Sequence, residues 1–291
     1  MVAPTEEAED EGVDEGETSS PFGDYLRKKI GDREAGVLRA VLPKYEEFSR
    51  SRTPAALKKS TLELSSHVDS NLTQIREALG GRVTPFSTFR GYFIEEVAIR
   101  AATIALSQYQ APGIVVKKLG TGTGIVTGLL IKYRKGTLPP EISLDLQRDR
   151  EDVVLGFQRR MKLEGDGGTA AEFRSEIVPI CTIACKMYID ATRLENVLAK
   201  ARSFYGQYAK SAFFVLAEWD ALGQKWHDSS GVVMDSLYAP VQEILFLRDG
   251  DRPDNSELRT ESLRRPYRSS TIDHLFAVIA DSLDSWGLPR R

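Results

Sequence analysis

The stretch Val178-Pro-Ile-Cys-Thr-Ile-Ala-Cys-Lys-Met-Tyr-Ile-Asp-Ala-Thr-Arg-Leu-Glu195 decides how this chain is read. Up to Ile189 it is apolar and β-branched, which predicts a strand from Ile177 to Ile189. At a period of two, Cys181, Ile183, Cys185, Met187 and Ile189 point one way, and Thr182, Ala184, Lys186 and Tyr188 the other. The first set reads as a core face and the second as a site. A lysine amid such a strand is costly to bury without an anionic partner, so Lys186 is a candidate functional group, with a solvated sheet face as the blander reading.

Downstream, Leu194, Val197, Leu198, Ala201 and Tyr205 recur at helical spacing, with Thr192 and Glu195 as a capping box at the start. The apolar run Ala212 to Trp219 predicts a second strand, so that strand, helix and strand form a parallel crossover. Val241 to Arg248 is available as a further strand. Upstream, Val153 to Met161 reads as the antiparallel partner of Ile177 to Ile189 across a turn holding Gly165, Gly167 and Gly168. Asp152 closes the run Asp149-Arg-Glu-Asp152 and stands at the margin of that pair, within reach of the site. Taken singly, it reads as a solvated turn acid.

Further upstream, Ile114 to Val116 and Ile125 to Tyr133 read as a hairpin around Gly120, Gly122 and Gly124. Gly-Thr-Gly-Thr-Gly could cradle a phosphate, but no Gly-Lys-Ser/Thr follows it, and the neighbouring Lys117, Lys118, Arg134 and Lys135 fit a solvated rim as well as a nucleic-acid contact. Residues 21–112 read as helical. One helix is predicted over 33–50 and another on the face Leu57, Leu64, Val68, Leu72, Ile75 and Leu79, stopping at Gly80-Gly81. A third is predicted from Pro85 to Gln108. A terminal helix, Ile272 to Leu283, carries an apolar stripe suited to the core or to a dimer contact.

The 291 residues are 41% hydrophobic, enough for one large core. No run approaches the roughly 18 apolar residues of a membrane span, and the first residues lack a basic and apolar signal, so a cytoplasmic protein is expected. Residues 1–20 hold Glu6, Glu7, Glu9, Asp10, Glu11, Asp14, Glu15 and Glu17 without a Lys or Arg, and read as a disordered tail. Removing their charge from the net −3 leaves +5 on the remainder, which suits a DNA partner without requiring one. Cys181 and Cys185 lie about 13 Å apart along an extended strand, too far for a disulfide. Three scattered histidines, His67, His227 and His274, have no metal-ligand spacing.

The segment Val178 to Glu195 resembles the catalytic segment of Type II restriction endonucleases related to BbvCI, in which a strand ending in Glu-Cys-Lys is followed by an aromatic residue and an Asp-x-Thr helix start. Weaker likeness extends to Phe213 to Glu218, to Ile244-Leu-Phe-Leu-Arg248 and to Phe93-Ile-Glu-Glu-Val97. The resemblance implies a mixed α/β fold in which an N-terminal helical region (21–112) packs on a central PD-(D/E)XK nuclease sheet flanked by helices (113–291). It also implies Mg²⁺-dependent cleavage of specific double-stranded DNA in a prokaryotic cell. Asp152 matches the first acid, Lys186 the lysine and position 184 the second metal-binding acid. Position 184 is Ala, whose methyl group cannot ligate Mg²⁺. The chain is therefore expected to carry an inactivating substitution of an active parent; the rivals are a naturally degenerate nuclease or a second acid migrated to another position, such as Glu172 or Glu176.

A further acid is expected from the helix bearing Glu95 and Glu96. With Phe93 at zero on a wheel of about 100° per residue, Glu96 falls beside Phe89 and Arg100 and Glu95 on the opposite face, so Glu96 is the expected site residue, with a structural Glu96 to Arg100 pair as the alternative. Candidate DNA contacts are Arg252, Asn255, Arg259, Arg264, Arg265, Tyr267 and Arg268 in one loop, with Lys117 and Lys118. Cutting both strands needs two active centres, so a homodimer, or a heterodimer with a related subunit, is expected. The alternatives are a repair or recombination nuclease of the same fold and a DNA-binding module without catalysis.

Overall fold

The computed structural model describes residues 20–32, 36–81, 83–118, 125–133, 142–149, 152–164, 170–222, 241–250, 252 and 265–291. The acidic tail up to residue 19 and the turns at Gly120 to Gly124 and Gly165 to Gly168 lie outside them, as do Arg134 and Lys135. Five helices come first: α1 (Pro21–Asp32), α2 (Gly36–Ser49), α3 (Pro54–Ser70), α4 (Leu72–Ala78) and α5 (Val83–Leu106). Thr53 caps α3 by accepting the Ala56 N–H at 3.2 Å, with Pro54 at the first helical position, where its missing N–H costs nothing. The predicted single helix from Leu57 to Leu79 is broken at Asn71 into α3 and α4. Its stop is where the glycines put it, with Gly80 and Gly81 at φ +95° and +70°.

Strands β1 (Ile114–Lys118), β2 (Ile125–Tyr133), β3 (Ile142–Asp149), β4 (Val153–Glu164) and β5 (Ala170–Ile189) follow, then α6 (Ala191–Gln207), β6 (Ala212–Asp220), β7 (Glu243–Phe246) and α7 (Ser269–Ser285). One sheet has the order β1-β4-β5-β6-β7. β1, β4 and β5 are antiparallel neighbours, and β6 and β7 continue parallel to β5. The β5-α6-β6 crossover and the β4-β5 pair are as the periodicity predicts. The hairpin of Ile114 to Val116 with Ile125 to Tyr133 is not: β1 pairs with β4, and β2 pairs with β3 in a separate two-stranded sheet. Ile114 and Val116 are buried, and only the edge of the main sheet beside α5 lets them join the core. β4 reaches β5 closely at Gly156, where the register shifts. A Cβ there would stand 2.4 Å from the Val178 carbonyl oxygen, so only glycine fits.

The sheet is covered on both faces. Against one lie α5 and the other helices, in a core running from Phe22 and Leu26 through Phe93, Val97, Ile183 and Leu216 to Ile279 and Leu283. Against the other lies α6, whose Leu194, Val197, Leu198, Ala201 and Phe204 meet Val154, Ala184, Val215 and Ala217. Each large side chain so buried contributes about 1.5–3 kcal/mol. α6 is capped by Asp190, which accepts the Arg193 N–H at 2.8 Å, rather than by Thr192. β5 ends at Ile189, and the next residue already offers a strong cap.

A buried ionic group ties the helical layer to the sheet. The Arg248 Nε donates to Glu218 Oε1 at 2.9 Å and its Nη2 to Asp69 Oδ1 at 2.9 Å, while Arg90 bridges the same two acids from α5. Asp69, Arg90, Glu218 and Arg248 are each 5% exposed or less, so their charges are compensated by one another and not by water.

Candidate functional site

Lys186 stands near the end of β5, partly exposed between the buried Cys185 and Ile189. Asp152 precedes Val153, which pairs with Ile183, so Asp152 continues the ladder opposite Ala184. Its Oδ2 accepts the Cys185 backbone N–H at 2.7 Å and the Lys186 Nζ at 2.9 Å. The two side chains are 28% and 30% exposed, so the pair is fixed by the backbone yet open to a ligand. The acid at the sheet margin and the lysine of the following strand are thus brought together.

A second ion pair adjoins the first. Glu95 on α5 pairs with Lys118 at the end of β1, whose Nζ also lies 4.3 Å from the Tyr92 ring centroid. Burial raises the Glu95 carboxyl above its ordinary value against the pull of Lys118, with the Asp152 charge adding to the rise and Lys186 opposing it. Burial lifts the Cys185 thiol as well, helped by the Asp152 and Glu95 charges, so this cysteine is an inert core group and not a nucleophile.

Glu95 takes the place expected of Glu96. Glu96 is fully buried on the other side of α5, paired with Arg100 at 3.2 Å, and burial raises its carboxyl despite that guanidinium. The wheel separates the two acids correctly, but α5 has two packed faces. Phe89 and Phe93 face Phe22 and other aromatic rings of the helical layer. Glu95, opposite them, reaches the sheet. For a helix buried nearly all round, an apolar stripe does not say which neighbour it meets.

The division of β5 into a core face and a site face also needs correction. Thr182 and Ala184, on the expected site face, are 0% and 1% exposed, and Ala184 belongs to the apolar cluster under α6. Both faces are core as far as position 184, and the site opens only at Lys186. Ile189, expected beside Cys181, packs in the α6 cluster instead.

The candidate DNA contacts separate likewise. Tyr267 is 4% exposed, stacked on Phe93 with its hydroxyl directed to Glu218 Oε1 at 3.3 Å, which makes it a core residue and not a surface contact. Arg265 places its carbonyl against Arg248 and its guanidinium 6.0 Å from the Trp219 ring. Arg268 is exposed and paired with Asp249 at 3.0 Å, and Lys117 is exposed on the edge strand. Lys118 is held by Glu95. Arg252 lies beside the site, its guanidinium 3.9 Å from the Tyr188 ring centroid. Asn255, Arg259 and Arg264 lie outside the described residues, as do the side chains of Glu172 and Glu176.

Mg²⁺ is commonly held by one or two carboxylates with substrate phosphates completing the shell. Among the described residues the Lys186 face offers Asp152 alone, Ala184 supplies a methyl group, and Glu95 arrives from α5 already bound to Lys118. Among the described residues no group of three or more His, Cys, Asp or Glu side chains could hold a metal ion. The donors among the described residues do not by themselves fit a tightly held divalent cation.

No family model and no curated protein matches the chain. A solved structure of the native BbvCI A2B2 tetramer matches 90% of this chain and 94% of its own, with a TM-score of 0.61 and 16% identity. The fold is similar to that of BbvCI. At this identity the likeness to BbvCI is one of architecture: the mixed α/β fold is shared over nearly the whole of both chains. Among the described residues no helix is long and apolar enough to cross a membrane.

Proposed function

We propose that the chain is a Type II restriction endonuclease of the PD-(D/E)XK class that binds specific double-stranded DNA, and that Ala184 leaves it unable to cut. The observation that carries this reading is the convergence of Asp152 and Lys186 near the end of β5, beside position 184. In a form with an acid at 184, Asp152 and that acid would hold Mg²⁺, which supplies charge for the scissile phosphate and a more acidic water. In the chain as it stands, Lys186 and Asp152 bind and orient. The likeness to BbvCI, an A2B2 assembly, supports an oligomer that presents more than one such site to a duplex.

The burial of Ala184 favours a second reading, a DNA-binding module whose site has been filled with apolar packing. Replacing Ala184 by Glu decides between them. A carboxylate there loses hydration, but Asp152 lies opposite and Lys186 two residues on, so a cation beside them offsets the cost. The expected result is Mg²⁺-dependent cutting of plasmid DNA at fixed positions by Ala184→Glu, with duplex binding but no cutting by the parent chain. Duplex binding by both forms with cutting by neither, and the same from Ala184→Asp, supports the binding module. No binding by either form overturns both.

A further inference from the structure

We propose that Tyr188, held between Arg193 and Arg252, forms a subsite for backbone phosphates of the DNA strand beside Lys186, an inference that rests on the reading of this chain as a DNA-binding nuclease fold. Tyr188 follows Lys186 by two residues on β5 and so shares its face. The Arg193 Cζ lies 3.8 Å from the Tyr188 ring centroid and the Arg252 Cζ lies 3.9 Å from it. Two guanidinium groups that near one ring cannot share a face without overlapping, so they take opposite faces. They come from different parts of the chain: Arg193 from the first turn of α6, and Arg252 from a segment anchored by its N–H to the Asp220 carbonyl at 2.5 Å.

The arrangement has the chemistry of an oxyanion site. Stacking uses the π face of a guanidinium, whereas hydrogen bonds to phosphate are made in its plane, so the ring can fix both groups without competing for their donors. Asp190 offsets part of the Arg193 charge. Two like charges flanking one ring repel, and an anion bridging their edges relieves that repulsion. The room is on the Arg252 side of the ring: Tyr188 and Arg252 line a cleft of about 260 Å³ between the start of α5 and the ends of β5 and β6, which Arg76, Glu77, Glu218 and Trp219 also border and Arg193 does not. A strand laid across Lys186 would pass this position next.

The test uses the full chain and duplex DNA of mixed sequence, without divalent metal, with affinity measured across a salt series. If each arginine takes one phosphate, Arg193→Gln and Arg252→Gln each flatten the slope of log K against log salt by about 0.9, a loss of roughly eightfold near 0.1 M salt. Tyr188→Leu weakens binding because the guanidinium groups are no longer fixed, and Tyr188→Phe, which keeps the ring, restores most of the loss. Unfolding midpoints are followed in parallel, since a merely structural role would move them and leave the slope alone. If the parent chain binds duplex DNA and both arginine variants keep its slope, the subsite is wrong and the nuclease reading stands. If the parent chain does not bind duplex DNA at all, the nuclease reading falls and the subsite with it.

Discussion

Two ionic clusters in this molecule each join an Asp and a Glu to two basic side chains, and they serve opposite ends. Asp69, Arg90, Glu218 and Arg248 are sealed between the helical layer and the sheet, each acid bound by both arginines. Asp152, Lys186, Glu95 and Lys118 gather at the open end of β5, each acid bound by one lysine and the pairs partly exposed. The first cluster uses arginine, whose planar fork satisfies two carboxylates at once in a dry site. The second uses lysine, a flexible point charge that can exchange one anionic partner for another. Burial, multiplicity and the choice of arginine or lysine therefore distinguish a fastening from a site.

The sealed cluster is most sensitive at Glu218, which both arginines bind. Glu218→Gln leaves Arg90 and Arg248 buried with too little negative charge, and is expected to lower the unfolding free energy by about 3–5 kcal/mol in a denaturant titration. A loss under about 1 kcal/mol would mean that water reaches this cluster, erasing the contrast.

The pH dependence should show the same difference. Burial alone would raise the Glu218 carboxyl, but the Arg90 and Arg248 guanidinium groups outweigh it and hold the carboxyl below its ordinary value. A carboxyl depressed in the folded state contributes stability that is fully present above its unfolded value, about 4.3, and is lost as pH falls through the folded one. The stability gap between the parent chain and Glu218→Gln should hold from neutral pH down to about 5 and narrow below about 4. A gap independent of pH over that range would assign the loss to packing rather than charge.

The smallest expected effect sharpens the other side. Asp152→Asn removes a partly exposed pair and should change stability by no more than about 1 kcal/mol, since the amide oxygen can still accept the Cys185 N–H. In the Ala184→Glu protein the same substitution should abolish cutting. A large stability loss from Asp152→Asn, with cutting retained, would make Asp152 a structural group like Glu218.

Much of this was legible in local pattern. Alternation along Ile177 to Ile189, the helical spacing from Leu194 to Tyr205 and the apolar run from Ala212 identify β5, α6 and β6, because each period is set by the backbone of one element. Asp152 and Lys186 could be paired because an antiparallel partner returns to the same strand end, a relation that the turn between them imposes. The helical wheel sets Glu95 aside for Glu96, period two puts Tyr188 on the site face without giving it a role, and no pattern marks Arg193. The only signal for Glu95 was its place opposite Phe93, which reads as solvent until a second packed face is known.

What the amino-acid order alone determined is therefore most of the helices and strands of the main sheet and the β5 crossover, consequences of short-range periodicity. The resemblance of the Val178 to Glu195 segment singled out Asp152 and Lys186, while β3 and the break between α3 and α4 carried no such signal. Tertiary structure decided that β1 joins β4 rather than β2, that α5 turns Glu95 and not Glu96 to the sheet, that α6 buries Ala184, and that Tyr267 enters the core. Each of those outcomes depends on which distant surface offers a partner, and burial between elements is a property of the assembled chain that no single stretch contains.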